Sequence, residues 1–447
     1  MVPRGFPLAR TSLGIALRYT RRSTTMQRIL SAQLPAYTGE TVTVAGWIHR
    51  RRILKSVAFL ILRDRSGFAQ IVTPPEILEE FSEETVVSVT GTVTANPVAP
   101  GGVEITQPTI ERLSDPVGQL PIELFRPSLG VNLPTLLDHA ALTLRHPSRR
   151  PVFELGAALV RGFRETLDGI GFTEVHSPKI VGVSTESGAN VFGLDYYGRK
   201  AYLAQSPQLY KQTLVGVFER VYEIGHAYRA EPSDTARHLS EYVSLDAELG
   251  FIESQRDVMK VLRDVFAGML AAAAEVPSVA AAGFALPVVP EEIPIVHFSE
   301  ALKIAGAAPD EPDLAPADER AVCEWALREH GSEFVFVEGY PTLHRAFYTH
   351  PEPGREPYSR AFDLLFRGLE LVSGSQRLHR YADYVETLTE RGYAIEAYAD
   401  FLEVFKLGMP PHGGFAIGLE RLLAMLVGAT NVREVTFFPR DLHRVTP

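Results

Sequence analysis

Four stretches of this 447-residue chain gather side chains whose types and spacing could do chemistry. In FRGLELVSGSQRLHRY (366–381), Glu370 stands between Leu369 and Leu371, Ser373 follows three residues later, and Arg377 comes after a glycine-containing bend. Burying a lone carboxylate in so apolar a strand costs on the order of several kcal/mol. Glu370 therefore either meets Arg377 in a structural ion pair or joins Ser373 in offering hard oxygen ligands to a magnesium ion that also holds phosphates. In PPHGGFAIGLERLLAML (410–426), the glycines at 413, 414 and 418 let backbone approach a ligand, and Glu420 and Arg421 open a helix. A guanidinium there can lie over a purine ring and reach a phosphate. In TESGANVFGLDYYGRKAYLAQSPQLYKQ (185–212), Glu186 precedes a Ser-Gly-Ala stretch suited to a lid. Gln205, Ser206, Gln208 and Lys211 then gather at a helix start, where backbone amides favour an anion; a solvated surface lysine is the plain alternative for Lys211. Finally, YEIGHAYRAEPSDTARHLSEYVSLDAELG (222–250) sets Arg229, Glu231, Arg237, His238, Glu241 and Glu248 among residues that alternate like a buried strand. So much charge there means either edge strands with solvated faces or a sheet that faces something charged.

Two kinds of element must carry these groups. From Gln27 to Leu113 short alternating strands with glycine-rich turns predict a small closed barrel of the OB-fold type. Proline-rich residues 114–145 read as a linker. A second domain, 146–447, opens with a helix near Pro151 whose Val152, Leu155, Leu159, Phe163 and Leu167 keep helical spacing until Gly169 and Gly171 close it. Beyond it, long strand-like runs without strict strand–helix alternation predict an α+β domain, a mainly antiparallel sheet flanked by helices. The alanine-rich 267–283 reads as helix and turn with no chemistry of its own. On the barrel, GWIHRRRILKSVAFLILRDRSGFAQIV (46–72) interleaves basic and aromatic residues, which suits single-stranded RNA; alternatively Phe59 is core and the arginines a solvated loop.

Composition sets outer bounds. With 45% hydrophobic and 22% charged residues the chain reads as globular, and no run approaches a membrane span. The single cysteine, Cys323, excludes a disulfide framework or a cysteine zinc site. A net charge of −10 argues against indiscriminate nucleic-acid binding, so any RNA contact must be a local patch. Residues 1–26 hold five arginines and no acid, which fits a transit peptide or a disordered basic extension before Met26.

The four segments together resemble the class II aminoacyl-tRNA synthetases, and specifically the compact archaeal-type aspartyl-tRNA synthetases. The class's first motif is matched by LDGIGFTEVHSPKIV, with Pro178 near its end, the second by YRAE with RHLSEY, and the third by GLER. The resemblance runs from about Gln27 to Pro447. It implies a homodimer joined through the first motif, ATP as substrate, and magnesium held by Glu370 and Ser373. Arg229, Glu370 and Arg421 are the implied catalytic groups. Implied at the ATP site are Arg229 on the α-phosphate, Ala230 and Glu231 toward adenosine, Arg237 and His238 on the outer phosphates, and Leu239. Tyr242 and Arg421 would sandwich the adenine, with Glu370, Gly418, Leu419 and Glu420 around them. For aspartate the resemblance implies Glu186 on the ammonium, Lys211 and Arg377 clamping the side-chain carboxylate, and Gln205, Ser206, Gln208 and Ser373 alongside. Two departures stand out: the usual Glu-Gly-Gly of the lid is Glu186-Ser187-Gly188, and the usual Ser-Gly-Gly is Ser373-Gly374-Ser375.

On the barrel the resemblance implies that Phe59 stacks an anticodon base while Arg52 and Gln70 contact the anticodon loop. Family members that charge only tRNA(Asp) tend to have Trp at the place of His49 and Lys at the place of Pro100. Those that also charge tRNA(Asn) tend to have His and Pro, as here. The expectation is a non-discriminating enzyme whose Asp-tRNA(Asn) goes to a tRNA-dependent amidotransferase. Fewer than 200 residues join the second and third motifs, unlike the organellar enzymes, which resemble the longer bacterial type with its inserted domain. That favours a cytoplasmic protein and a disordered extension over a transit peptide. The rival readings are a discriminating aspartyl enzyme, an asparaginyl enzyme (against which Lys211 counts), and a synthetase-like binding protein without catalysis.

Overall fold

A computed structural model describes residues 27–183, 191–230, 232 and 234–447. The basic extension, Glu186 with its lid, and Glu231 lie outside the described residues. The chain divides into two compact units, up to Leu129 and from Gly130 to Pro447. The stretch expected as linker, 114–145, spans that boundary and carries two short helices, Leu133–Asp138 and Ala140–Thr143.

In the first unit five strands close into a barrel in the order β1 (Thr41–Ile53), β2 (Ala58–Asp64), β3 (Gly67–Thr73), β5 (Val103–Ser114) and β4 (Val86–Ala95). Period-2 alternation builds it: Val42, Val44, Ile48, Leu60, Leu62 and Ile71 fill the interior, and the residues between them face out. β1 bends at a bulge between Ile48 and Arg50, so His49 is the extra residue there.

In the second unit helix α1 (Arg150–Gly169) turns Val152, Leu155, Leu159, Phe163 and Leu167 into the core, as the spacing predicts. Strand β6 (Thr173–Glu174) follows, then a small sheet of β7 (Ile180–Val181), β9 (Arg199–Leu203) and β8 (Gly193–Tyr196). After helix α2 (Gln208–Phe218) come β10 (Arg220–Tyr228), β11 (Glu241–Gly250) and helix α3 (Gln255–Ala274). β12 (Ile295–His297), helix α4 (Pro316–His330), β13 (Phe334–Glu338), β14 (Ala361–Phe366), β15 (Leu369–Gln376), β16 (His412–Gly418) and helix α5 (Leu419–Val427) follow, with shorter helices among them. The eight-stranded sheet runs β12-β13-β14-β15-β16-β11-β10-β6, antiparallel except at its two ends.

β11 shows why charge sits in the middle of this sheet. Leu245, Ala247 and Leu249 point into the core, which also holds residues of α1, α3 and α5. Tyr242, Ser244, Asp246 and Glu248 therefore share the opposite face, and the last three are buried.

Candidate active site

That face floors two adjoining cavities. The first, about 250 Å³, is lined by Arg229, Arg237, His238, Leu239, Tyr242, Glu370, Ser373, Gly418, Glu420 and Arg421 among others. The second, about 600 Å³, takes in Ser206, Gln208, Lys211, Asp246, Ser375 and Arg377, and shares Arg229, Tyr242, Ser244, Ser373 and Ala416 with the first.

Around the first cavity the elements dictate where each group points. Arg229 follows the last residue of β10, ties its backbone N–H to Ser240 at 2.9 Å, and holds its guanidinium 5.6 Å over the Tyr242 ring. The loop carrying Arg237 and His238 is anchored by Arg433, which binds Asp234 at 2.6 Å and the Thr235 carbonyl at 3.0 Å. The His238 ring shares a 2.7 Å bond with the Thr235 hydroxyl. Glycine at 418 ends β16, and Glu420 in the first turn of α5 accepts the Val243 N–H at 3.1 Å on each oxygen. Arg421 donates to the Glu370 carbonyl at 3.0 Å. Burial pushes the Glu420 carboxyl up to about 7, with Glu241 adding to it and the Val243 amide opposing.

Glu370 and Ser373 are three apart, a spacing that puts side chains on opposite faces of a regular strand. A bulge resolves this: Leu364 pairs with Val372 and Leu365 with Glu370, so Leu371 is extra and both side chains reach the same cavity. Asp363, opposite Ser373 on β14, was not among the residues sequence singled out. Burial first, then the Asp363 charge, pushes the Glu370 carboxyl up to about 7, while Arg421 and Arg345 oppose. Asp363 itself is held by Arg345 at 2.8 Å. Two close carboxylates and a hydroxyl, all hard oxygens with excess negative charge, fit a magnesium ion that completes its shell with phosphate and water. Among the described residues no three acidic, His or Cys side chains converge into a metal centre of their own.

The second cavity is built on buried ion pairs. Lys211, one turn into α2 and 2% exposed, reaches Asp246 at 3.0 Å, Glu248 at 3.3 Å and the Phe415 carbonyl at 3.3 Å. It is no solvated surface lysine. Arg377 donates to Glu248 from Nε at 2.9 Å and from Nη2 at 3.4 Å, and from Nη1 to the Ser375 hydroxyl at 2.6 Å. Its structural partner is thus Glu248 rather than Glu370. Burial works to raise the Glu248 carboxyl, but Arg377 and Lys211 overcome it and hold the group below the usual carboxylate range. The buried amide nitrogen of Gln208 has no hydrogen-bond partner among the described residues, so the wall offers a donor that a ligand would satisfy.

Most expected residues do meet here. Ala230, Gln205 and Leu419 do not line either cavity; Gln205 and Leu419 are buried. Asp246, Glu248, Ser244 and Asp363 were the groups given no role, although Glu248 was named among the charges of its strand. For the first three the signal was the strict alternation from Tyr242 to Glu248, which puts every second residue on one face.

On the barrel the register brings together part of the set expected to face RNA. Arg52 pairs with Phe59, which pairs with Val72, and the neighbouring row runs Arg50, Ile61, Gln70, Glu104. Phe59 is half-buried on the outer face, between inward-pointing Ala58 and Leu60, so it is not core. Gln70 donates to Glu104 at 2.8 Å, and Asn96 at the foot of the Pro100 turn donates to the same oxygen at 2.7 Å. His49 lies 4.9 Å from the Phe68 ring and shares a 3.2 Å bond with Arg63. Pro100 is exposed in the turn between β4 and β5.

Known proteins resemble this chain over both of its units. The family of class II tRNA synthetases (D, K and N) matches residues 132–442, and the OB-fold nucleic acid binding domain matches 42–113. The aspartate–tRNA(Asp/Asn) ligase of Thermus thermophilus is 45% identical over 94% of this chain and all of its own length. That of Methanopyrus kandleri is 41% identical over 92% of this chain and 97% of its own. Among solved structures, asparaginyl-tRNA synthetase from Pyrococcus horikoshii complexed with asparaginyl-adenylate superposes with a TM-score of 0.87 at 29% identity, covering 94% of this chain and 100% of that one. Aspartyl-tRNA synthetase from Entamoeba histolytica gives 0.84 at 26% identity with full coverage of both chains.

Proposed function

The chain belongs to the class II aminoacyl-tRNA synthetases of the aspartate, lysine and asparagine group, and we propose that its two adjoining cavities are the ATP and aspartate sites of a non-discriminating aspartate–tRNA ligase. It activates aspartate with ATP and transfers it to tRNA(Asp) and to tRNA(Asn). The observation that carries the site assignment is the shared wall: Arg229, Tyr242, Ser244 and Ser373 border both cavities, where two reacting substrates must meet.

The chemistry follows from charge. The α-carboxylate of aspartate attacks the α-phosphorus of ATP, the bond to pyrophosphate breaks, and aspartyl-adenylate forms. Two anions must be brought together, so the work of the protein is positioning and charge stabilisation. Arg229 holds the α-phosphate, Arg237 and His238 the outer phosphates, and Tyr242 with Arg421 the adenine. Glu370 and Ser373, with Asp363 beside them, would hold magnesium, which when bound neutralises phosphate charge. The Lys211 and Arg377 pair receives the side-chain carboxylate. No general base is needed, because the nucleophile is already ionised. The terminal ribose 3′-OH of the tRNA then attacks the adenylate carbonyl and AMP leaves. The outer barrel face with Arg52, Phe59 and Gln70 takes the anticodon, and His49 and Pro100 tolerate either third base. A homodimer formed through the first motif, a cytoplasmic location, and delivery of Asp-tRNA(Asn) to an amidotransferase complete the reading.

The test is aminoacylation with radiolabelled aspartate on purified tRNA(Asp) and tRNA(Asn) transcripts at matched salt. Charging of both is expected; charging of tRNA(Asp) alone would keep the active site and reject the roles of His49 and Pro100.

A further inference from the structure

We propose that Ser375 is a third hydrogen-bond donor for the substrate's side-chain carboxylate and sharpens the choice of carboxylate over amide. The inference deepens the reading above and rests on the assignment of Lys211 and Arg377 to that carboxylate. Ser375 stands where the family pattern has glycine. It is 2% exposed, and it lines the same cavity as Lys211 and Arg377. Its cross-strand neighbours are Ala361 and Gly414, neither of which brings a side-chain acceptor.

The direction of its hydrogen bond decides what it can offer. Arg377 donates from Nη1 to the Ser375 oxygen at 2.6 Å. A guanidinium has no acceptor, so the serine oxygen accepts in this bond and its own proton must be given to something else. The nearby acids already accept: Glu248 from Arg377 and Lys211, Asp246 from Lys211 at 3.0 Å and from Ser244 at 2.5 Å. Alongside them the wall presents donors from Lys211, Arg377, Ser375 and the Gln208 amide nitrogen, which has no partner among the described residues. A carboxylate brings two acceptor oxygens and no donor, whereas an amide would set its NH₂ against one of these N–H or O–H groups. The hydroxyl also fixes the plane of the Arg377 fork, because Glu248 holds one edge and Ser375 the Nη1 corner.

Ser375→Ala, Ser375→Gly and the hydroxyl-retaining Ser375→Thr are measured in aspartate-dependent ATP–pyrophosphate exchange on the full chain, with Arg377→Ala beside them. The Ala and Gly variants are expected to raise the KM for aspartate about tenfold, the size of one bond to a charged group. Their KM for ATP and their turnover at saturating aspartate should stay near wild type, and discrimination against asparagine should fall. Ser375→Thr should retain the wild-type KM for aspartate. A wild-type KM in Ser375→Ala, a parallel rise in the KM for ATP, or equal impairment of the Thr and Ala variants overturns the proposal while leaving the clamp in place. An unchanged aspartate KM in Arg377→Ala would reject the clamp itself, and the role of Ser375 with it.

Discussion

Lys211 is the residue on which the proposed choice of amino acid turns. Its ammonium lies between Asp246 and Glu248 at 3.0 and 3.3 Å and is almost wholly out of water. Lys211→Ala would leave a substrate carboxylate without half of its clamp, at a cost of about 2 to 5 kcal/mol. Aspartate-dependent pyrophosphate exchange should be lost while ATP binding by calorimetry persists; near-normal exchange would remove Lys211 from the clamp. Glu420 makes a different prediction, about pH. Its carboxyl is raised from 4.5 to about 7, so the folded state binds this proton more tightly than the unfolded state does. The group's contribution to stability is then present below the unfolded value and is lost as pH rises through about 7, a swing of about 3 kcal/mol at roughly 1.4 per unit. Glu420→Gln can keep an acceptor for the Val243 N–H while removing the titration. The stability of wild type relative to this variant should therefore fall between about pH 4.5 and about pH 7 in denaturant titrations and level off above that. A flat difference would reject the raised carboxyl.

At the level of elements, close approach between helices and a bulge in a strand matter more than residue identity. α1 and α3 touch at glycines: a Cβ on Gly162 would meet the Gly268 carbonyl and the Met269 Cα, each at 2.7 Å. On Gly156, further up the same helix, it would meet only the tip of Leu423, at 3.1 Å. Gly162→Ala should therefore cost about 1 to 3 kcal/mol as the helices are forced apart, and Gly156→Ala far less. Thermal midpoints of the two variants check this, and equal midpoints would contradict the packing. The same contrast explains what was legible in the sequence. The apolar spacing from Val152 to Leu167 and the alternation of the barrel strands announce helix and barrel, because burial of one face is periodic. The sharing of a face by Glu370 and Ser373 is not legible from their spacing, since it depends on the bulge at Leu371. Nor is the pairing of Arg377 with Glu248, 129 residues away, which arises only when β11, β16 and β15 lie side by side. Asp363 was hidden for a related reason: it reads as one charge in an apolar strand until β14 sets it opposite Ser373.

At the scale of the molecule two choices are separated along the chain. The residues proposed to select and activate aspartate lie in Gly130–Pro447, and those proposed to read the anticodon lie in the barrel of the first unit. With a net charge of −10, affinity for RNA is proposed to come from local arginines such as those at 50, 51 and 52, and tolerance for the third anticodon base from His49 and Pro100. His49 is the extra residue of a β1 bulge and Pro100 lies in a tight turn, so each can be exchanged without disturbing an inward-facing barrel position. If the two choices are independent, His49→Trp combined with Pro100→Lys should shift charging toward tRNA(Asp). It should leave pyrophosphate exchange with aspartate and ATP unaltered, because additivity holds for sites that share no partners. An unchanged ratio between the two tRNAs would take His49 and Pro100 out of the specificity argument. A fall in tRNA-independent exchange would show instead that the barrel acts on the activation step, and that the separation drawn along the sequence does not hold in the working enzyme.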